Sequence, residues 1–294
     1  MEVVLAGVCA TDLALAAGYM DFDGVPGHEF VGRALTGPLA GQRVVGEINA
    51  GCGTCPVCRG TGGLDARHCA QRTVLGILGR HGAFAERLVL PVANLLAVPD
   101  SVTDSQAAFV EPLAAAFQIL EQVRPKSGTR VLVAGDGRLG LLIAKVLHAE
   151  GCRVDLAGHH AERVPNGIGD RTGLLDADTT PPHEERYELA VEATGSPSVL
   201  ARLLPFVRPR GTLVLKTTTG RAVPLDLTAA VVDELTILGS RCGPFDVALQ
   251  ALGEQRVEVD SLIHATYPLT EVQRAFEEAV RPGVLKILID CQSP

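Results

Sequence analysis

The sequence predicts an α/β protein in two domains, one β-rich and one a doubly wound parallel sheet. Three observations carry that expectation. The chain has 294 residues, more than one typical domain holds. Residues 1 to about 100 contain short apolar runs bounded by turn formers, the look of a compact β-rich domain. From Asp100 onward strand-length runs alternate with helical patterns, the order that βαβ units and a parallel sheet produce.

In the first region the strand-length pieces are Glu2 to Leu5, Arg43 to Gly46 and Phe84 to Leu90. Ser101 and Asp104 then offer caps for a helix whose apolar residues run from Ala107 through Phe117 to Val123, ending before Pro125. Arg130 to Ala134 fits a strand buried on both faces, and a helical pattern follows from Leu141 to Leu147, closing at Gly151. Further strands fit Arg153–Ala157, Glu188–Ala193, Thr212–Leu215 and Leu235–Leu238, with a helix over Pro197–Val207. The tail adds a helix near Thr270 to Val280, where Thr270 and Gln273 fit a capping box, and a last strand over Leu285–Ile289.

Composition excludes several classes. Hydrophobic residues make up 47% and charged residues 20%, which is globular and far from disorder. With no Trp, 3 Tyr and 8 Phe the core must be aliphatic, and a base-stacking platform is poorly supplied. Lys and Arg number 26 against 34 Asp and Glu, so 26 − 34 gives a net charge of −8, which repels polyanions and argues against nucleic-acid partners. No apolar run reaches the roughly 20 residues that cross a bilayer, so no membrane partner is expected. Met1 to Met20 is apolar, but Glu2 and Asp12 interrupt it, and it reads as mature structure instead of a signal peptide.

Gly135-x-Gly137-x-x-Gly140 lies between the buried strand and the helix that follows, the context in which this pattern cradles a dinucleotide. Its glycines give a tight turn, close approach of backbone to pyrophosphate, and contact of helix with sheet, with phosphate at the helix N-terminus. Gly135, Gly137, Arg138, Leu139 and Gly140 are therefore cofactor-binding candidates. Without a ligand the same pattern is an ordinary strand-to-helix turn. Asp136 is unfavourable if it faces a phosphate, and Arg138 could offset it. The exit of the next strand reads Gly158-His159-His160, with no acid to accept from a ribose hydroxyl; Asp155 is the only carboxylate near, buried or turned away by strand alternation. Gly158, His159 and His160 leave room for a 2′-phosphate and tilt the expectation to NADP over NAD. Read otherwise, the two histidines are solvated turn residues.

Four of the eight cysteines, Cys52, Cys55, Cys58 and Cys69, fall within 18 positions. Four thiolates at this spacing can close a tetrahedron around zinc, leaving no place for substrate, so the expected site is structural. Disulfides, a redox Cys-x-x-Cys and a nucleic-acid zinc module are the alternatives, and clustered thiols in a large unstapled chain favour metal in a reducing compartment, the cytoplasm. A second set is dispersed: Cys9 in Val8-Cys9-Ala10-Thr11-Asp12, and His28-Glu29 in Pro26-Gly27-His28-Glu29-Phe30. Taken singly, Cys9 reads as a small core residue and His28 as a hydrogen-bonded structural histidine.

Together, Gly7-Val8-Cys9-Ala10-Thr11-Asp12, Gly27-His28-Glu29-Phe30-Val31-Gly32, the four-cysteine lobe, Glu111-Pro112-Leu113 and the glycine loop stand in the order seen in zinc-dependent medium-chain alcohol dehydrogenases, and the chain resembles that family over essentially its whole length. It is most similar to the polyol, sugar and threonine dehydrogenase branch, because Glu111 stands where the alcohol dehydrogenases proper have a third cysteine. The resemblance implies an N-terminally shortened GroES-like catalytic domain over residues 1–111 and 246–294 around a Rossmann domain over 112–245. It implies Cys9 and His28 as catalytic zinc ligands, Glu29 and Glu111 as alternating or additional ones, Thr11 as the group that passes the alcohol proton outward, and Asp12 as the residue orienting His28. It also implies a homo-oligomer, dimer or tetramer, and an alcohol, polyol or sugar substrate oxidised with NADP or NAD.

The chain departs from the family in three places. The family has further residues before the strand that begins at Glu2, so either the start is truncated or a sheet edge is left uncovered. The ten residues between Cys58 and Cys69 exceed the usual gap, with Thr61-Gly62-Gly63 as the insertion. Ala161 to Pro182 is rich in Pro and Gly where the fold has a helix, which should be short or absent. In addition, Ala14 replaces the histidine that ends the proton relay in some relatives. The alternative functions are a zinc-free quinone or enone reductase on the same fold, and an inactive nucleotide- and zinc-binding homologue.

Overall fold

The computed structural model describes residues 1–61, 65–176, 181–218, 222–223 and 225–293. In chain order the first elements are β1 (Glu2–Gly7), α1 (Ala10–Ala16), β2 (Glu29–Arg33), β3 (Arg43–Gly46), β4 (Asn49–Ala50), β5 (Thr73–Val74), β6 (Leu95–Ala97), α2 (Asp104–Ala107) and α3 (Val110–Val123). There follow β7 (Arg130–Ala134), α4 (Arg138–Ala149), β8 (Arg153–Ala157), β9 (Gly169–Asp170), β10 (Tyr187–Glu192), α5 (Pro197–Leu203), β11 (Val207–Leu215), α6 (Leu227–Val232) and β12 (Thr236–Gly239). The tail holds α7 (Phe245–Gly253), β13 (Ile263–Pro268), α8 (Val272–Ala279) and β14 (Lys286–Asp290). Contacts group these into two compact units, Met1–Ala114 with Pro244–Pro294, and Ala115–Gly243.

The first unit is built on a sheet in the order β13-β14-β1-β2-β3-β6, antiparallel except where β13 meets β14. β1 lies in its middle, so the two ends of the chain are zipped together, with Leu5 to Gly7 opposite Asp290 to Leu288. Val3, Ala6, Val44, Val45, Ile287, Leu288 and Ile289 are all buried there, which fits the aliphatic composition. Phe84 to Leu90, expected as a strand, forms only a single bridge, Arg87 with Glu2. The reason is that β14 takes that edge of β1 from Leu5 onward; only the first residues of β1 remain, where Val3 N donates to Glu86 O and Leu88 N to Met1 O.

Two helix starts also differ from expectation. The cap of the helical region after Asp100 is Thr103, whose hydroxyl accepts from Gln106 N while Gln106 Oε1 accepts from Thr103 N. The region is also two helices, because Phe109 N bonds back to Gln106 O in a tighter turn between α2 and α3. At the other end Thr270 lies inside a 3₁₀ turn, Leu269–Glu271, so α8 begins after Glu271 and the Thr270–Gln273 box does not form.

The second unit is a parallel sheet in the order β9-β8-β7-β10-β11-β12, a Rossmann arrangement whose strand order reverses between β7 and β10. Val131 to Ala134, Leu189 to Val191, Leu213 and Val214 are buried, as strands covered on both faces must be. Behind β7, α4 turns Leu141, Leu142, Ile143, Ala144, Val146 and Leu147 into the core. Between Ala161 and Pro182 the described residues contain no α-helix, only a 3₁₀ turn at Ala161–Arg163 and the two-residue β9. Residues 177–180 of that stretch, and Gly62 and Gly63 of the expected insertion, lie outside the described residues.

Leu132 is fully buried in the cluster formed by Ala157, Ala190, Leu203, Phe206 and Leu213. Leu132→Ala should therefore cost about 2–5 kcal/mol in chemical denaturation. Val89→Ala, at a residue 77% exposed, should stay within about 0.5 kcal/mol of the parent.

Candidate functional site

The antiparallel pairing of β1 with β2 sets Gly7 opposite Glu29. The residues just past β1 are thereby brought beside the start of β2, and the ligand atoms of Cys9, His28 and Glu29 all lie within 4.8 Å of one another. Cys9 is the N-cap of α1, and the fully buried Asp12 sits in that helix's first turn. Asp12 Oδ2 accepts from Cys9 N at 2.8 Å, and its Oδ1 accepts from Gly27 N at 2.9 Å. Oδ1 also lies 3.3 Å from His28 Nδ1, close enough for charge attraction but off the line of a hydrogen bond, so Nδ1 is a buried polar atom still without a hydrogen-bond partner. Burial lowers the basicity of His28, yet Asp12 and Cys9 outweigh it and raise its pKa well above the ordinary value. The pocket thus draws positive charge toward a sulfur, a nitrogen and a carboxylate, a donor set that suits zinc.

Thr11 follows Cys9 on α1, its hydroxyl oxygen 3.7 Å from Cys9 Sγ. Glu29 Oε2 is ion-paired with Lys286 Nζ, both side chains only 2% exposed, and a side chain at Gly7 would collide with that carboxylate. Lys286 Nζ also lies 3.5 Å from Val8 O and 5.5 Å from the centre of the Phe109 ring. Sequence reasoning missed Lys286; its signal was a lone cation inside the otherwise apolar Val284–Ile289 run. Glu111 falls outside the 4.8 Å set. It is half-buried near the start of α3, and burial foremost pushes its carboxyl up to about 7, with Glu29 adding to the rise and His28 opposing it.

The four-cysteine lobe is compact. Sγ of Cys52 stands 4.0 Å from that of Cys58, and Cys55 Sγ 3.8 Å from Cys69 Sγ. With zinc–sulfur bonds of about 2.3 Å, tetrahedral sulfurs stand about 3.8 Å apart, whereas a disulfide needs about 2.05 Å. Cys69 is fully buried, and Cys52 N and Cys58 N point at the sulfurs of Cys69 and Cys55. A side chain at Gly51 would sit 2.6 Å from Cys58 Sγ, so glycine is what lets that sulfur close in. Hydrogen bonds led by the Thr54 hydroxyl hold the Cys52 thiol down at about 5, ready to ligate. The lobe is a structural zinc site.

In the second unit the glycine loop leaves β7 at the point where the strand order reverses, where such sheets bind their ligands. Gly135 has φ +115°, and a side chain at Gly140 would strike Gly135 O, so both are needed for the turn into α4. Gly137 is different. A side chain there would enter open space, the cradle that backbone contact with a pyrophosphate requires, and this N-cap residue has no side-chain cap of its own. Arg138 and Leu139 open α4. Gly158, His159 and His160 follow β8; the backbone N–H groups of His159 and His160 donate to Asp136 Oδ2, and the Asp136 side chain lies against Gly158. Asp155 is turned aside, accepting from Tyr187 Oη and Arg171 Nε.

Cys69→Ser should remove about one zinc per chain by elemental analysis and leave the other bound. Lys286→Met strands Glu29 as a buried lone charge and should cost about 3–5 kcal/mol in denaturation, with a large part recovered in the double variant Lys286→Met/Glu29→Gln.

A family model described as the alcohol dehydrogenase GroES-like domain matches residues 1–100. The chain is 29% identical to D-arabinitol dehydrogenase 1 of Uromyces fabae over 98% of its own length and 88% of that protein's. It is also 29% identical to an L-threonine 3-dehydrogenase of Saccharopolyspora erythraea, over 99% and 90%. An alcohol dehydrogenase structure from E. coli CFT073, complexed with the cofactor NADH, superposes with a TM-score of 0.86 at 25% identity, covering 98% of this chain and 90% of that one. With the glycine loop, the four-cysteine lobe and the Cys9, His28, Glu29 pocket in one polypeptide, the chain carries an alcohol dehydrogenase GroES-like domain and is similar over nearly its whole length to zinc-type polyol and threonine dehydrogenases.

Proposed function

We propose that the chain transfers hydride between NAD(P) and a secondary alcohol, polyol or sugar, with the catalytic zinc held by Cys9, His28 and Glu29. The observation that carries this reading is the convergence of those three ligand atoms within 4.8 Å, in a chain that also has the glycine loop. The names of the similar arabinitol and threonine dehydrogenases support substrates whose reacting hydroxyl is flanked by polar groups.

Bound zinc would supply Lewis acidity that lowers the pKa of a substrate hydroxyl, and the dinucleotide would accept the hydride. The chain's own residues do the remaining work. Asp12 draws the ring proton of His28 to Nδ1, which leaves Nε2 to ligate. Thr11, next to Cys9 on α1, is placed to take the proton of the substrate hydroxyl and release it to water, since Ala14 offers no further relay. Glu29 is paired with Lys286 and lies within 4.8 Å of the Cys9 and His28 donors, so it would be available either to hold a bound zinc or to keep its ion pair. Glu111 contributes a carboxyl near the pocket, outside the 4.8 Å set, as the alternating or additional ligand that the resemblance implies. Assembly as a homo-oligomer is supported by the edge strand β12 and by Leu227, Val231 and Val232, all exposed on the helix before it. A reducing, cytoplasmic setting is supported by the clustered thiols of Cys52, Cys55, Cys58 and Cys69, none of which is in a disulfide.

Cys9→Ala and His28→Ala should each lower turnover at least about 100-fold in a panel of alcohols and sugars, while NADH still binds in a fluorescence titration. Unchanged turnover in either variant refutes the mechanism, and full activity in metal-free protein would favour the zinc-free reductase instead.

A further inference from the structure

Given a dinucleotide on the glycine loop, its adenosine ribose needs an acceptor. In sheets of this order a carboxylate at the end of the second strand takes the ribose 2′-hydroxyl. Here that strand is β8, and its exit, Gly158-His159-His160, has no acid. Asp136 reaches across from the neighbouring loop after β7. Its Oδ2 accepts from His159 N at 2.9 Å, from His160 N at 2.8 Å and from His160 Nδ1 at 2.8 Å. Its side chain lies so close over Gly158 that a side chain at 158 would collide with it, so the two positions fit only as an Asp–Gly pair. Burial alone would raise the Asp136 pKa, but the His160 ring and the two backbone N–H groups more than offset it and hold the group ionised.

All three hydrogen bonds fall on Oδ2. Oδ1 has no hydrogen-bond partner among the described residues, and the side chain keeps 12% of its surface open. Three cationic side chains beside this exit are engaged within the chain. His160 is on Asp136, His159 Nδ1 lies 3.5 Å from Asp176 Oδ2, and Arg163 Nη1 donates to Asp136 O at 3.4 Å. We propose that Asp136 Oδ1 accepts the 2′-hydroxyl of the adenosine ribose, so that this chain prefers NAD(H) to NADP(H); this rests on the dinucleotide reading above. It reverses the leaning that His159 and His160 suggest by themselves. A 2′-phosphate would bring two negative charges against a carboxylate that the β8 loop holds in place.

The test is calorimetric titration of the zinc-loaded full chain with NADH, NADPH and 2′-deoxy-NADH. A hydrogen bond to a charged acceptor is worth about tenfold or more in affinity, so NADH should bind at least about tenfold tighter than either analogue. Asp136→Asn should bring NADH and NADPH within about threefold of each other, chiefly through gained NADPH affinity. NADPH binding as tightly as NADH, 2′-deoxy-NADH equalling NADH, or a ratio unmoved in folded Asp136→Asn protein would each overturn the proposal. Should that variant fail to fold, the 2′-deoxy comparison on the unaltered chain decides alone. Failure of all three nucleotides to bind would instead refute the dinucleotide reading itself, and the proposal with it.

Discussion

A carboxylate with no exposed surface can exist only where polar partners replace water, and in the first unit Asp12 is such a group. Its partners are the backbone N–H groups of Cys9 and Gly27 and the ring of His28. Satisfying one buried charge therefore ties together two stretches of chain, Cys9 to Asp12 and Gly27 to His28, that sequence separation would otherwise leave independent. The pairing of β1 with β2 brings these stretches near, and the carboxylate holds them at ligand distance. Its negative charge then sets the electrical character of the pocket, since His28 is drawn toward its charged form in spite of burial. A site that raises a histidine's proton affinity without a metal is one in which a divalent cation finds its charge already balanced.

Glu29 and Lys286 extend that logic. A buried ion pair is a poor source of net stability, because desolvating both partners offsets most of their attraction. Its value here is positional. Gly7 leaves the room in which the Glu29 carboxylate sits, β14 carries Lys286 against β1, and the Phe109 ring backs the ammonium. Glu29 is thus held beside Cys9 and His28 by a side-chain partner, whereas the Asp12 carboxylate beside His28 is locked by two backbone donors.

What the sequence revealed follows a physical line. Motifs whose function depends on local spacing were legible: the four cysteines, the glycine loop after an apolar strand, and the alternation that forecasts a parallel sheet. Features set by pairing between distant segments were not. Phe84 to Leu90 has strand composition, but β14 had already taken the edge it would have used. Lys286 looked like any lysine near a terminus until β14 was seen packed beside β1. Thr270 had the right residue three places on, yet a 3₁₀ turn claimed it. Even Asp136, read as a liability to phosphate, depended for its meaning on β8, because the exit of that strand supplies the donors that engage its carboxylate.

The two units reach their sites by the same device. In each, a carboxylate past the end of a strand, Asp12 in the first turn of α1 and Asp136 in the loop after β7, reaches sideways onto backbone N–H groups of another loop, Gly27 in one case and His159 and His160 in the other. A glycine makes the crossing feasible: Gly27 adopts φ +103° beneath Phe84, and Gly158 lies flat under the Asp136 side chain. The device is economical because backbone donors are present whatever the sequence and cannot swing out of place as a side chain can. A carboxylate anchored in this way loses little entropy when a ligand arrives, and its unused face or field is left aimed outward. For Asp12 that field is directed to His28; for Asp136 the unused oxygen remains open. Position and charge are therefore set before metal or nucleotide binds, and the loops are free to differ elsewhere, as the Pro- and Gly-rich stretch from Ala161 onward does without disturbing the β8 exit.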